Sequence, residues 1–315
     1  MKKAVVNYFF EPAEACRVLE REFPDVNFRI CANERELLDS LPEAEILIAT
    51  RVSAEMLQAA PRLRWLQSFL AGMDHYPLKE IQERGIILTS GRGIAVSHFS
   101  EYVICALIML ARNFPLIAKN QNLKKWQKTE QREICGATLG ILGYGAIGRE
   151  VAKKAAMMGM RVIALKRTAG EAEDVQELYT PDRMDEVFKK SDYIVNLLPN
   201  TPETRRIVAR KYFDLMKPTA SFINVGRGKT INEDDLMEAL QTKRIRGFVG
   251  DVFFNEPLAQ TSPLWEMENV FITPHVAGEN INYVQKSLDI IRHNLVVYLS
   301  GKGEMMNVVD MKRGY

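Results

Sequence analysis

The sequence predicts an α/β protein built from two doubly wound parallel sheets. Three observations predict it. Short apolar runs alternate with amphipathic helical stretches along nearly the whole chain, which is the pattern of successive βαβ units. A glycine turn, Gly143-x-Gly145-x-x-Gly148, stands between an apolar run and a helical stretch near the middle. A long apolar helical segment, residues 99–111, separates the alternation into two halves.

Taken in order, residues 4–10 read as a strand and 13–22 as a helix with Ala15, Val18 and Leu19 on one face. Residues 26–31 are a strand, 34–40 a helix and 46–50 a strand. Ser53 is placed to cap a helix over 54–60. Residues 63–69 and 86–89 give two more strands. Ser97 stands before the helix 99–111, and Glu101 lies in its first turn. This helix is apolar nearly all round, which predicts burial, and it marks the crossing between domains. The second half alternates again: strand 138–143, helix 146–158, strand 161–166, helix 183–190, strand 193–198, helix 209–216, strand 220–225, helix 233–243, and strands 246–252 and 270–273. A last helix, 283–300, returns to the first domain. The expected partition is 1–98 with 287–315 for one domain and 99–286 for the other.

The bulk properties suit a globular protein of two domains. The chain has 315 residues, 47% apolar and 26% charged. A net charge of +2 gives no electrostatic case for nucleic acid or a membrane surface. Lys124, Lys125 and Lys128 cluster, and a solvated helix face accounts for them. Cys16, Cys31, Cys105 and Cys135 form no C-x-x-C pair and no metal spacing, so reduced thiols and a cytoplasmic location are expected. Lys2 and Lys3 lead into a first strand rather than a signal peptide. The longest apolar run, 102–111, is too short to span a bilayer.

Each glycine of the turn has a physical task. Gly143 permits a sharp bend, Gly145 lets a pyrophosphate approach the main chain, and Gly148 lets helix and strand pack closely. The N–H groups at the helix start, at Ala146 and Ile147, then face the phosphates. Three further stretches each follow a β-like run: Asn224 to Gly228, Asp251 to Pro257, and Thr273 to Gly278. Strand ends of an open parallel sheet point into the ligand crevice, so Arg227, Glu256 and His275 can converge beside a bound dinucleotide. Hydride transfer to a 2-keto acid needs those residue types. A guanidinium holds the carboxylate by two parallel hydrogen bonds. A histidine donates a proton to the oxygen that gains charge, since its pKa lies near working pH. A carboxylate behind the ring orients it and favours the imidazolium. Singly, each residue fits an ordinary loop charge; jointly, after successive strands, they read as a catalytic set.

At this point the chain resembles the D-isomer-specific 2-hydroxyacid dehydrogenase family. The matching residues are Gly143 to Gly148, Leu198-Pro199-Asn200-Thr201-Pro202-Glu203-Thr204, Ile223 to Gly228, Asp251 to Pro257, Pro274 to Gly278 and the ending Asn307-Val308-Val309-Asp310. The resemblance covers nearly the whole chain. It implies a Rossmann dinucleotide-binding domain inserted into a flavodoxin-like substrate domain, with a cleft between them. It implies Arg227 on the substrate, His275 as acid/base and Glu256 paired with His275. It implies that Leu198, Pro199, Thr204, Val225, Gly226, Arg227, Asp251, His275 and Gly278 border the cofactor, Asp251 beside the nicotinamide amide. It also implies that backbone N–H groups of the loop Phe69 to Asp74, at Leu70, Ala71 and Gly72, hold the substrate carboxylate. The residues alone equally allow a simple left-handed turn at Gly72. A homodimer formed through the cofactor domain is a further implication.

One position departs from the NAD pattern. An acid normally ends the second strand of such a fold and binds the adenine ribose. Here Val162-Ile163-Ala164-Leu165 is followed by Lys166, Arg167 and Thr168. Two cations and a hydroxyl suit the 2′-phosphate of NADP(H) and favour it over NAD(H). By resemblance, the chain stops before the regulatory domains of the longer phosphoglycerate dehydrogenases, and Glu256 stands where formate dehydrogenases carry glutamine. Reduction of glyoxylate or hydroxypyruvate to the D-2-hydroxy acid is the leading expectation. The alternative is a corepressor-like protein of the same fold that senses dinucleotide with little turnover.

Overall fold

The computed structural model describes residues 2–7, 13–73 and 75–311. Residues 8–10 of the expected first strand and Asp74 lie outside the described residues. The chain divides into two compact units, Met1–Ile94 with Asn280–Tyr315, and Ala95–Glu279.

The first unit runs β1 (Lys2–Asn7), α1 (Ala13–Glu22), β2 (Val26–Cys31), α2 (Glu34–Ser40), β3 (Ile46–Ala49), α3 (Ala54–Ala59), β4 (Trp65–Ser68), α4 (Leu78–Glu83) and β5 (Ile87–Thr89), and it is completed by the helix Tyr283–Ser300. Its five strands are parallel in the order β2-β1-β3-β4-β5. That is the 2-1-3-4-5 order of flavodoxin-like folds. The two-residue period of a strand separates the core into two layers. Ile46 and Ile48 pack with Leu19 of α1 and with Leu288, Ile291 and Leu295 of the closing helix. Leu47 and Ala49 point the other way, onto Leu37, Leu57 and Ile81 of α2, α3 and α4. Polar groups inside this unit pair with one another. Gln67 Oε1 accepts from Thr89 Oγ1 at 2.8 Å and from Asn294 Nδ2 at 2.9 Å, which ties the closing helix to β4. Asn33 and Ser53 cap α2 and α3, the latter as the sequence predicts.

The second unit runs α5 (Val96–Ala111), α6 (Phe114–Asn122), β6 (Thr138–Leu142), α7 (Ala146–Met157), β7 (Arg161–Leu165), β8 (Glu177–Tyr179), α8 (Met184–Lys190), β9 (Tyr193–Asn196), α9 (Arg210–Leu215), β10 (Ser221–Asn224), α10 (Glu233–Gln241), β11 (Gly247–Gly250) and β12 (Val270–Ile272). The closing helix of the first unit is α11. Seven parallel strands take the order β12-β11-β10-β9-β6-β7-β8. Read from β8, the first six follow the 3-2-1-4-5-6 order of a Rossmann sheet, and the order reverses between β6 and β9. The glycine turn leaves β6 at that switch point. One face buries Val162, Val195, Ile223 and Val249 under α5 and α7. The other buries Ile163, Ile194, Phe222 and Phe248 under α8, α9 and α10. Phe222 and Phe248 stack at 6.3 Å between ring centroids.

Several expectations are corrected. The first turn of α5 begins at Val96, so Ser97 lies inside the helix rather than before it. Lys154 explains this: its Nζ donates to the Ser97 carbonyl at 3.1 Å and to Ser100 Oγ at 2.8 Å, holding that turn in the second unit. The opposite crossing also moves earlier, to Glu279, because Tyr283 Oη donates to the Phe69 carbonyl at 2.7 Å and draws the start of α11 into the first unit. Helix α5 is buried along one face only, with Glu101 and Cys105 exposed. Lys124, Lys125 and Lys128 are exposed, but on an irregular segment: α6 ends at Asn122 and Lys124 turns left-handed at φ 54°. Helices α4 and α6 and strand β8 are additional elements.

Candidate active site

The turn after β6 is pinned to the end of β7. The N–H groups of Gly143 and Tyr144 both donate to the Leu165 carbonyl, at 3.1 and 2.9 Å. Gly143 adopts φ 109°, which favours glycine. A Cβ on Gly148 would fall on the carbonyl oxygen of Gly143, so only glycine allows α7 this close to the strand. A Cβ on Gly145 would meet nothing within 4 Å, so the space over the turn is open. The first N–H groups of α7, from Ala146 onward, have no intrahelical partner. A pyrophosphate fits this cradle.

Lys166 is half-buried one residue past β7, followed by exposed Arg167 and Thr168. They stand beside the turn because Leu165 is in register with Leu142. The 198–204 segment reaches the same rim. Thr201 bonded to Glu203 holds that carboxyl below the usual range, and the charge of Arg167 adds to it. The segment is folded on itself: Thr204 Oγ1 donates to the Pro199 carbonyl at 2.6 Å and accepts from the Thr201 N–H at 2.8 Å. Leu198 N–H is held by Asn196 Oδ1 at 3.2 Å. A Cβ on Gly226 would stand 2.7 Å from the Leu198 carbonyl oxygen, so Val225 and Gly226 press directly against this segment.

The ends of β10, β11 and β12 bring the three catalytic candidates together. Arg227 is half-buried, and its Nη1 donates to the Gly226 carbonyl at 2.9 Å. Gly228 follows because a Cβ there would fall on the backbone of Phe253. His275 Nδ1 donates to Glu256 Oε2 at 2.7 Å. The other carboxylate oxygen of Glu256 accepts the Phe253 N–H at 3.0 Å. With Nδ1 engaged, Nε2 is the imidazole nitrogen left for a reactant. The side chain of His275 is 50% exposed, so this nitrogen is reachable.

The charges agree with that arrangement. The hydrogen bond from Glu256 raises the pKa of His275 above the ordinary imidazole value, against the effect of burial. Burial pushes Glu256 up, but the bonds from His275 and the Phe253 N–H outweigh it and leave the carboxyl below its usual range. The charge of Arg227 acts on both groups. Arg227, Glu256 and His275 therefore influence one another electrostatically.

Behind them lies a buried polar layer that sequence reasoning missed. Asn196 Nδ2 donates to Asn224 Oδ1 at 2.9 Å and to Thr230 Oγ1 at 2.8 Å. Thr230 Oγ1 donates to the Arg227 carbonyl at 2.6 Å, and Asn224 Nδ2 to the Val252 carbonyl at 3.2 Å. The layer thus fixes the backbone on both sides of the catalytic strip. A signal was available: two otherwise apolar strands, Tyr193–Asn196 and Ser221–Asn224, end in asparagine, and the two asparagines are in register. Asp251 is 1% exposed. Its carboxylate accepts from Thr273 Oγ1 at 2.6 Å, the Val276 N–H at 2.8 Å and the Ala277 N–H at 3.0 Å.

Leu70, Ala71 and Gly72 belong to the first unit, after β4. Within that unit the Leu70 N–H is taken by Ser68 Oγ at 2.9 Å, and its carbonyl accepts the Gly91 N–H at 2.9 Å. This corrects the expectation for Leu70, whose N–H is committed to holding the loop. Among the described residues, no partner takes the N–H groups of Ala71 and Gly72.

Comparison with known proteins gives the family. Residues 104–277 match the D-isomer specific 2-hydroxyacid dehydrogenase, NAD binding domain. The chain is 28% identical over 311 residues to a glyoxylate reductase of Pyrococcus furiosus, covering 92% of this chain and 90% of that one. A D-isomer specific 2-hydroxyacid dehydrogenase family protein from Aeromonas salmonicida superposes with a TM-score of 0.89 at 32% identity, over 99% of this chain and 100% of that one. An NADPH-dependent glyoxylate/hydroxypyruvate reductase from Sinorhizobium meliloti, solved with NADP and sulfate, gives 0.88 at 28% identity over all of both chains. The chain belongs to the D-isomer specific 2-hydroxyacid dehydrogenases. It is an NAD(P)-dependent oxidoreductase of small 2-hydroxy acids and their 2-keto counterparts.

Proposed function

We propose that this enzyme reduces a short 2-keto acid, of the glyoxylate or hydroxypyruvate type, to the D-2-hydroxy acid, and that it prefers NADPH to NADH. The observation that carries the reading is the 2.7 Å contact between His275 Nδ1 and Glu256 in the field of Arg227. The guanidinium of Arg227 binds the substrate carboxylate. Bound reduced nicotinamide supplies the hydride. His275, kept protonated by Glu256, gives its Nε2 proton to the carbonyl oxygen as charge develops there. The open cradle at Gly145 and the helix start at Ala146 and Ile147 take the pyrophosphate. Lys166, Arg167 and Thr168 take the 2′-phosphate of the cofactor.

The names of the Pyrococcus and Sinorhizobium relatives support this substrate class. The test is oxidation of NADPH, and separately NADH, with glyoxylate, hydroxypyruvate, pyruvate and phenylpyruvate. The reading requires faster turnover with NADPH on the two small acids. Lys166→Ala with Arg167→Ala should then raise KM for NADPH much more than KM for NADH. Equal effects on both cofactors would remove the assignment of these cations, and no turnover on any acid would remove the reductase reading. Assembly as a homodimer through the second unit is part of the same proposal.

A further inference from the structure

The loop that carries His275 runs from Thr273 to Gly278, and α5 holds both of its ends. Tyr102 Oη lies 2.5 Å from Thr273 Oγ1. His98 Nε2 lies 2.8 Å from the Gly278 carbonyl oxygen, to which it donates. Residues 98 and 102 are one helical turn apart and share a face of α5. Chemistry sets the direction of the first link. The carboxylate of Asp251 only accepts, so the hydroxyl of Thr273 spends its single proton on it. Thr273 Oγ1 must then accept from the Tyr102 phenol. That phenol is pushed up to about 12, chiefly by burial, so it keeps its proton throughout the working pH range.

The far end of the chain of bonds is equally committed. Asp251 takes the N–H groups of Val276 and Ala277, which flank His275 on its C-terminal side, and the Asp251 carbonyl takes the N–H of His275 itself at 2.9 Å. His275 sits at φ 58°, in the left-handed region that a residue with a side chain rarely adopts. Such a conformation persists only where its surroundings over-determine it. These hydrogen bonds to so short a loop, two of them from one helix face, provide that determination.

We propose that His98 and Tyr102 of α5, acting with Thr273 and Asp251, form a clamp that holds the 273–278 loop in the shape that places His275 against Glu256. These are positioning residues. Their effect on turnover rests on the reading of His275 as proton donor, but their effect on the imidazole does not. The charged groups facing that imidazole are Glu256, Arg227 and Asp251, and those near the phenol are Asp251 and Cys105.

The test uses the full-length protein and two readouts: the titration of His275 followed by NMR without ligands, and kcat and KM for glyoxylate. Thr273→Val removes the hydroxyl and keeps the shape of the side chain. Its His275 midpoint should fall toward the ordinary imidazole value of about 6.5. Its kcat should drop on the order of 100-fold, the cost of misplacing a catalytic group by about 1 Å, with a smaller change in KM. Thr273→Ser should restore both. Tyr102→Phe should shift the midpoint in the same direction by less, and it decides the matter if Thr273→Val does not fold. A midpoint equal to wild type in either folded variant overturns the clamp. The titration reads the clamp directly even where no keto acid is turned over, an outcome that sinks only the reading of the reaction.

Discussion

His275 carries a raised pKa because its Nδ1 is bonded to Glu256, and under the proposed mechanism the sign of that shift sets the pH behaviour of reduction. In the proposed mechanism reduction needs the protonated ring, so the rate is expected to fall as pH rises through the pKa of His275. Glu256→Gln keeps the shape but removes the charge that holds the proton. The basic limb of the kcat/KM profile for keto acid reduction should therefore move to lower pH. A profile superimposable on wild type would dissolve the pairing as a catalytic device. The convergence of the three candidate residues was legible in the sequence because each follows a β-like run, and strand ends in this fold converge. Thr273 and Tyr102 were not. A threonine before proline and a tyrosine in an apolar helix look like ordinary neighbours until the loop between them is closed.

At the scale of the element, the strand–turn–helix at Gly143–Gly148 separates packing from binding. Gly148 is a packing glycine: Gly148→Ala forces its Cβ onto the Gly143 carbonyl. That overpacking should cost about 1–3 kcal/mol, seen as a lower urea midpoint at unchanged m. Gly145 is the proposed binding glycine, with open space where its Cβ would go. Gly145→Ala should change stability by no more than about 1 kcal/mol, yet weaken the dinucleotide by at least about tenfold, read by fluorescence titration. Equal losses of stability in the two variants would contradict this division. The same scale shows what the sequence reveals of elements. Helices α1, α2 and α11 match their expected ranges because apolar spacing and flanking polar residues agree. Strand β8 was missed because its three residues include only one aliphatic side chain, Leu178, on an edge of the sheet. The paired Asn196 and Asn224 were missed because a polar residue ending a strand reads as the start of a loop, although both are fully buried here.

For the whole molecule, the second unit presents large apolar side chains to solvent. Trp126, Met157, Leu123 and Phe114 are all exposed, more than scattered surface residues require. We propose that the homodimer covers them. Light scattering should give twice the mass of the 35.9 kDa chain, and Trp126→Ala with Met157→Ser should shift it toward the monomer. A wild-type monomer at micromolar concentration would refute the assembly. The two-sheet architecture was legible from βαβ alternation divided by one apolar helical segment, whereas the points of crossing were not, since they depend on Lys154 and Tyr283 reaching backbone carbonyls far along the chain.

The hydrogen bond between His98 and Gly278 has a consequence for assembly of the chain. It brings the point where the second unit begins, Ala95, and the point where it ends, Glu279, within about a helical turn of a shared contact. Helix α11 must find β4 across a gap of more than two hundred positions. Once the inserted unit has folded, that gap behaves as a short tether. Loop-closure entropy grows by about 0.6 kcal/mol per doubling of length, so the shortening spares α11 on the order of 1–2 kcal/mol when it docks. A remote contact in sequence thereby becomes a nearer one, and the host sheet gains its last helix at the entropic cost of a much shorter loop.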